Sequence, residues 1–235
     1  MGNSTTLSKI WYLEQFNLFQ VLKEDEKKSL GKKACMENFS KGDHIYLPSS
    51  QQKRVYLLKK GHVKITHLME DGREHIVDII GPGQIFGKYL SGHENTEETT
   101  QALDDVLICY FELEDWNQYI QNHPAFSFTV LKMLGQSVKK LQSQVIHLQF
   151  LDTSSRIIKV LLDLIDNHGR KIGLGDQVEV KLYLTHQDIA KLAGTSRQTV
   201  TSYLKSLEKE DLLTYNRSRI LVKDLIRIKK MAKIA

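Results

Sequence analysis

Residues 184–207 read LTHQDIAKLAGTSRQTVTSYLKSL, and their apolar positions form two short helical patterns separated by a small-residue break. The first pattern predicts a helix from about His186 to Leu192, burying Ile189, Ala190 and Leu192. Thr185 stands where a helix cap belongs, and Asp188 follows it by three residues in capping-box fashion. In the break, Ala193-Gly194-Thr195, the glycine can adopt the left-handed backbone that a tight turn needs. Ser196 is placed to cap a second helix whose inward face is Val200, Tyr203, Leu204 and Leu207. Arg197, Gln198, Thr201, Ser202 and Lys205 are then left to point outward. Arg can bond a guanine edge with two N–H groups, Gln can do the same to adenine, and Thr or Ser can reach base or phosphate. Two ordinary surface helices would satisfy the periodicity alone. Small Ala190, the turn at Gly194 and the exposed set together favour a helix-turn-helix, in which early residues of the second helix meet base edges.

The sequence on either side supports this reading. Leu212 to Tyr215, then Asn216-Arg217-Ser218-Arg219, then Ile220 to Val222 has the form of a small hairpin, or wing. Arg217 and Arg219 at its tip suit phosphate contact. The expected DNA-binding residues are thus Thr185, Ser196, Arg197, Gln198, Thr201, Ser202, Lys205, Arg217 and Arg219. Lys229, Lys230 and Lys233 fit either a further phosphate contact or a solvated tail. The chain's net charge of +5 is unevenly placed. Residues 152–235 hold 16 Lys and Arg against 10 Asp and Glu, whereas residues 1–151 hold 17 against 18. A basic excess confined to the part that carries the two-helix unit points to a polyanion partner.

Upstream, the periodicity changes. Leu131, Leu134, Val138, Leu141, Val145 and Leu148 are spaced 3, 4, 3, 4, 3, an unbroken a/d seam. Such a narrow stripe can pack on its own domain, but it is the form of one helix meeting its twin, so these six residues are the expected dimerisation seam. Arg156 to Asp166 reads as a buried helix, and Val178 to Leu184 alternates like a strand. From about Ile10 to Trp116 the pattern is mostly short β-forming runs, at His44–Leu47, Val55–Leu58, Val63–Thr66, Ile76–Ile80 and Val106–Phe111. Lys41-Gly42-Asp43, Lys60-Gly61, Asp71-Gly72 and Gly81-Pro82-Gly83 separate them as turns, which predicts a sandwich or jelly roll. Glu97-Glu98 reads as part of a solvated loop. The expected organisation is α+β: residues 1–123 a β-roll sensor domain, 124–151 a dimerisation helix and 152–235 a winged helix-turn-helix domain.

No apolar run approaches a membrane span, and Met1 to Lys9 has no signal-peptide pattern, so the expected location is cytoplasmic, with no membrane partner. Two isolated thiols, Cys35 and Cys109, make neither a disulfide framework nor the four-thiolate set of a typical iron–sulfur cluster. No P-loop, nucleophilic triad, His/Cys metal spacing or paired-carboxylate motif occurs, so neither an enzyme nor a metal site is expected.

A β-roll, a heptad helix and a winged helix-turn-helix in this order resemble the cyclic AMP receptor/FNR family of bacterial transcription regulators. The resemblance covers nearly the whole chain, and Leu184 to Leu213 matches the family's helix-turn-helix pattern most closely. It implies a homodimer on a near-palindromic duplex, a small signal sensed in the β-roll, and contact with RNA polymerase. It also implies that Arg197 and Gln198 are the main base readers; the next outward position, often Arg in the family, is Ser202 here, which bears on the operator sequence. The resemblance places an effector pocket around Ile80, Phe86, Gly87, Lys88, Thr99 and Leu141.

The sensor end departs from the family's cyclic-nucleotide pattern. Gly83-Gln84-Ile85-Phe86-Gly87 leads into Lys88, where cyclic-nucleotide binders carry a Glu for the ribose. The Arg that would hold the phosphate has no counterpart, for no Arg occurs between Arg73 and Arg156. Lys88 can supply a point charge but not a two-pronged fork. Cyclic AMP is therefore not the expected effector. Haem stays open as an alternative, with His62, His67, His75 and His147 among the nine histidines, none in a diagnostic motif. The competing functional class is an effector-binding interaction module without DNA readout, which would not need the helix-turn-helix.

Overall fold

A computed structural model describes residues 16–47, 53–87, 97–172 and 176–232. The chain folds as two compact units, Met1–Ile65 with Ile79–Lys140, and Thr66–Asp78 with Leu141–Ala235.

The N-terminal part is a β-roll with a helical layer. After a 3-10 turn at Asn17–Phe19 come α1 (Glu24–Lys33), β1 (Cys35–Phe39), β2 (His44–Tyr46), β3 (Arg54–Lys60), β4 (Val63–Leu68), β5 (Glu74–Ile80), β6 (Ile85–Gly87), β7 (Glu98–Ala102) and β8 (Val106–Glu112). α2 (Leu113–Asn122) and α3 (Pro124–Phe150) follow. The strands form two four-stranded sheets, ordered β1-β8-β3-β6 and β2-β7-β4-β5. Strands β3 and β8 read as nearly continuous apolar runs because both of their faces are buried. Tyr56, Leu58, Val106 and Ile108 face the roll interior with Ile45, Val63, Ile80, Phe86 and Ala102. Val55, Leu57, Cys109 and Phe111 face a second core with Phe16, Phe19, Leu30, Trp116, Tyr119, Phe126 and Val130. Burying aromatic and branched side chains on both faces stabilises these central strands by about 1.5–3 kcal/mol per side chain.

Several elements differ from the sequence expectation, strands β1 and β6 among them, which lie outside the expected β-forming runs. The polar run around Glu97 and Glu98 is not all loop, because Glu98 opens strand β7, which pairs with β2. Its alternation rests on Thr100 and Ala102, which are buried, while Glu98, Thr99 and Gln101 are half-buried. Helix α1 also lies within the stretch that reads as mostly short strands, and α2 begins at its end.

The β3–β4 turn shows how tightly the roll is closed. Gly61 has φ +83°, and a Cβ there would stand 2.5 Å from Asp105 O and 2.7 Å from Asp104 Oδ1. Asp104 accepts from the His62 amide at 2.6 Å and lies 2.8 Å from His62 Nδ1.

The C-terminal part begins with α4 (Thr153–His168), whose cap Asp152 accepts from the Ser155 amide at 2.7 Å. Ile157, Ile158, Leu161, Leu164 and Ile165 are its buried stripe. β9 (Gly169–Lys171), β10 (Val178–Val180), α5 (His186–Ala193), α6 (Arg197–Lys209), β11 (Leu213–Asn216), β12 (Arg219–Val222) and α7 (Leu225–Met231) complete the domain. The sheet order is β11-β12-β10-β9. The strand expected over residues 178–184 is shorter than its pattern, although Val178, Val180, Leu182 and Leu184 are all buried. None of the described helices is long and apolar enough to cross a membrane.

Candidate nucleic-acid interface

Two capped helices and a left-handed turn position the candidate reading surface. Thr185 Oγ1 accepts from the Asp188 amide at 3.1 Å, and Asp188 Oδ2 accepts from the Thr185 amide at 2.8 Å, closing the capping box on α5. Gly194 sits at φ 59°, ψ 46°, and its N–H returns to the last carbonyls of α5. Ser196 Oγ then accepts from the Thr199 amide at 3.1 Å and starts α6. Ile189, Ala190, Ala193, Val200, Leu204 and Leu207 lie in the buried contact between these helices and the domain core. Leu192 is only half-buried and Ala193 takes the buried place expected for it, because α5 runs one residue further than the sequence pattern suggested.

Arg197, Gln198, Ser202 and Lys205 are exposed on α6. The first two stand in its opening turn, where unpaired N–H groups and the helix dipole favour a negatively charged partner. Thr201 differs from the others: it is half-buried, its hydroxyl donates to Arg197 O at 2.8 Å, and it lies 2.7 Å from His186 Nδ1. With the hydroxyl proton used on the carbonyl, the oxygen accepts, so neutral His186 carries its proton on Nδ1. The hydroxyls of Thr185 and Ser196 are likewise engaged in their caps. Burial depresses the pKa of His186 below the ordinary imidazole value, and the Arg197 and Lys205 cations add to the depression, partly opposed by Glu208.

The wing follows the expected hairpin, with Asn216 paired to Arg219 across its tip. Asn216 Oδ1 accepts from the Ser218 amide at 3.0 Å and fixes the turn. Arg217 and Arg219 are both exposed, but Arg219 Nη1 is 3.3 Å from Glu179 Oε1, so part of its charge is answered within the domain. Tyr215 anchors the wing: its hydroxyl donates to Leu184 O, its amide donates to Glu208 Oε1 at 2.9 Å, and burial pushes its phenol up to about 12. Lys229 and Lys230 are exposed on α7, and Lys233 lies outside the described residues.

Of the heptad residues, Leu131, Val138, Leu141, Val145 and Leu148 are 53–62% exposed. Leu134 is half-buried against the β-roll core. The residues expected around an effector are distributed differently. Ile80 and Phe86 are buried in the roll interior, and Gly87 at φ +89° lies against Tyr56, where a Cβ would stand 2.7 Å from its ring. Thr99 is half-buried beside Thr100, which is fully buried. Leu141 is exposed and belongs to the second unit, and Lys88 lies outside the described residues. Among the described residues no group of three or more His, Cys, Asp or Glu could hold a metal ion.

Comparison with known proteins agrees with this architecture. Residues 36–123 match the family described as Cyclic nucleotide-binding domain, and residues 155–231 match the Crp-like helix-turn-helix domain. The chain is 26% identical over 223 residues to the CRP-like cAMP-activated global transcriptional regulator of Mycobacterium tuberculosis, covering 94% of this chain and 98% of that protein. It is 27% identical over 190 residues to the Global nitrogen regulator of Nostoc sp., covering 80% of this chain and 84% of that protein. Among solved structures, a CooA mutant from Carboxydothermus hydrogenoformans superposes with a TM-score of 0.71 at 29% identity, over 92% of this chain and 95% of that one. FixK2 from Bradyrhizobium japonicum, at 19% identity, shares the fold with a TM-score of 0.72, over 84% of this chain and 96% of that one. A β-roll, a long helix and a capped helix-turn-helix with an exposed reading face, in that order and with these relatives, place the chain in the CRP/FNR family of transcription regulators.

Proposed function

We propose that this regulator acts as a cytoplasmic homodimer that binds a near-palindromic duplex, with one α6 in each of two major grooves about one DNA turn (~34 Å) apart. The observation that carries the reading is the a/d stripe of α3: five of its six apolar residues are more than half exposed, on a helix that leads directly into the helix-turn-helix domain. Pairing two such stripes removes this apolar surface from water and gives two-fold symmetry, which a palindrome mirrors. Arg197 and Gln198 read bases, Ser202 and Lys205 contact base or phosphate, and Arg217 and Arg219 hold the backbone. Thr185, Ser196 and Thr201 have their hydroxyls engaged within the domain, so their contribution is chiefly to set the two helices.

The signal acts on the β-roll, around Ile80, Phe86, Gly87, Lys88 and Thr99, and is not cyclic AMP. The mycobacterial relative's name includes cAMP, but the chain has Lys88 in place of the ribose-binding Glu and no Arg between Arg73 and Arg156 to fork a phosphate. Seam residue Leu141 takes part in relaying the signal, and the bound dimer contacts RNA polymerase. Selection from a random duplex pool, with and without a low-molecular-weight cell extract, tests the reading. Enrichment of a near-palindrome is expected, and dependence on the extract would identify a diffusible effector. A chain that enriches no duplex in either arm would instead be the interaction module without DNA readout.

A further inference from the structure

The side chain of Arg156, on the first turn of α4, joins two helix ends that are far apart in sequence. Its Nε donates to Ala193 O at 2.9 Å and one terminal N–H group donates to Gly194 O at 3.2 Å, both in the turn of the helix-turn-helix. The other terminal nitrogen donates to Leu151 O at 3.1 Å, just past the end of α3, while the nitrogen on Gly194 O also lies 3.5 Å from Thr153 Oγ1. Carbonyls at helix C-termini have no partner within the helix and carry the negative end of the helix dipole. One planar cation with five N–H donors therefore satisfies the ends of α3 and α5 together, which a single ammonium on a flexible stem cannot do. The same turn is backed by the last heptad residue: a Cβ on Gly194 would stand 3.0 Å from Leu148 Cδ2.

We infer that Arg156 is a positioning residue that locks the helix-turn-helix turn to the end of α3, so that the seam directly sets the separation of the two reading helices. The inference rests on the dimeric DNA-binding reading above. Residues 151–153 are then not a free hinge. Arg156 touches no base; its loss loosens the spacing rule while leaving the reading helix itself competent.

The test uses the full chain as wild type, Arg156→Lys and Arg156→Ala. The probes are the selected palindrome, the same duplex with one or two base pairs inserted between half-sites, and a duplex with a single half-site. Wild type is expected to lose affinity steeply with insertion. Both variants should bind the uninterrupted palindrome roughly tenfold or more weakly, keep half-site affinity within about twofold, and show a flattened dependence on spacing. A wild-type spacing profile in Arg156→Lys overturns the inference. So does an equal loss on half-site and full site, which would make Arg156 only a stabiliser of the fold. If wild type itself binds neither palindrome nor half-site, the DNA-binding reading fails and takes this one with it. Should thermal melting show that neither variant folds, hydrogen exchange in the wild type decides. The Leu151 amide, bonded to His147 O, and the Thr195 amide, bonded to Ala190 O, should open with the same free energy. A turn that opens at lower cost than the helix end overturns the lock.

Discussion

The winged domain and the β-roll use their side chains in opposite ways. In the winged domain the distinctive residues are outside: Arg197, Gln198, Ser202 and Lys205 are exposed, and the buried ones, such as Ile189, Val200 and Leu204, only hold two helices together. In the β-roll the distinctive residues turn inward: buried Tyr56 stacks on buried Phe86 and lies against half-buried Tyr110, with half-buried Arg54 set 4.1 Å over the Tyr110 ring. A recognition surface for a repeating polyanion can be specified by a few exposed side chains at helical spacing. In the reading proposed for the β-roll, a small signal would be coupled to a packed core, so its chemistry depends on which side chains converge in three dimensions. The first kind of function survives as a pattern along the chain, and the second does not.

The largest expected effect lies between the two regions, on the seam. Leu141→Lys would place one ammonium from each chain in an apolar interface, at a cost of about 3–5 kcal/mol for an unpaired buried charge. Sedimentation should show monomers, and palindrome affinity should fall to that of a half-site; a variant that stays dimeric would break the seam assignment. Within the β-roll, Phe86→Ala removes a fully buried ring and should lower that domain's stability by about 3–5 kcal/mol. The selected base sequence should not change, and a changed consensus would show that the two regions do not divide their roles this way.

On the reading face, Arg197→Ala should cost roughly 1–3 kcal/mol per half-site and relax preference at one base pair. Arg217→Ala on the wing should instead weaken binding to selected and random duplexes alike and lower the salt slope by about 1. Identical behaviour of the two variants would erase the distinction between base reader and backbone contact. The smallest effect concerns acid. The folded-state pKa of His186 is depressed, so the unfolded chain takes up its proton first as pH falls. The stability tied to neutral His186 is complete above the ordinary imidazole value of about 6.5 and is lost as pH falls below it. His186→Gln should flatten the pH dependence of winged-domain melting between about pH 7 and 5, and an unchanged slope would remove His186 from the account.

The same contrast explains what could be read along the chain. The caps Thr185 and Ser196, the glycine turn and the inward Val200, Leu204 and Leu207 of α6 are local and stand where spacing places them, while Tyr203, expected with them, is only half-buried. Strand β7 was hidden because Glu-Thr-Thr-Gln-Ala is polar, and only Thr100 and Ala102 are drawn fully into the core. Strand β1 has no buried residue to give it a period, and α1 buries only Leu30 and Gly31. Arg156 was unreadable for a different reason: its partners are backbone carbonyls 37 and 38 residues away, and carbonyls leave no mark in a sequence. The commitment of the Thr201 hydroxyl to Arg197 O and His186 is invisible on the same ground, since helical spacing alone places Thr201 with the outward residues.

The central claim is that two copies of this chain read one duplex through α6. Equilibrium sedimentation of the wild-type protein with a selected near-palindromic duplex tests it most directly, with Arg197→Ala as the matched control. Two chains per duplex are predicted, with Arg197→Ala keeping that stoichiometry and discriminating less well than wild type between selected and scrambled sequence. One chain per duplex, or a complex in which Arg197→Ala discriminates as well as wild type, would contradict it.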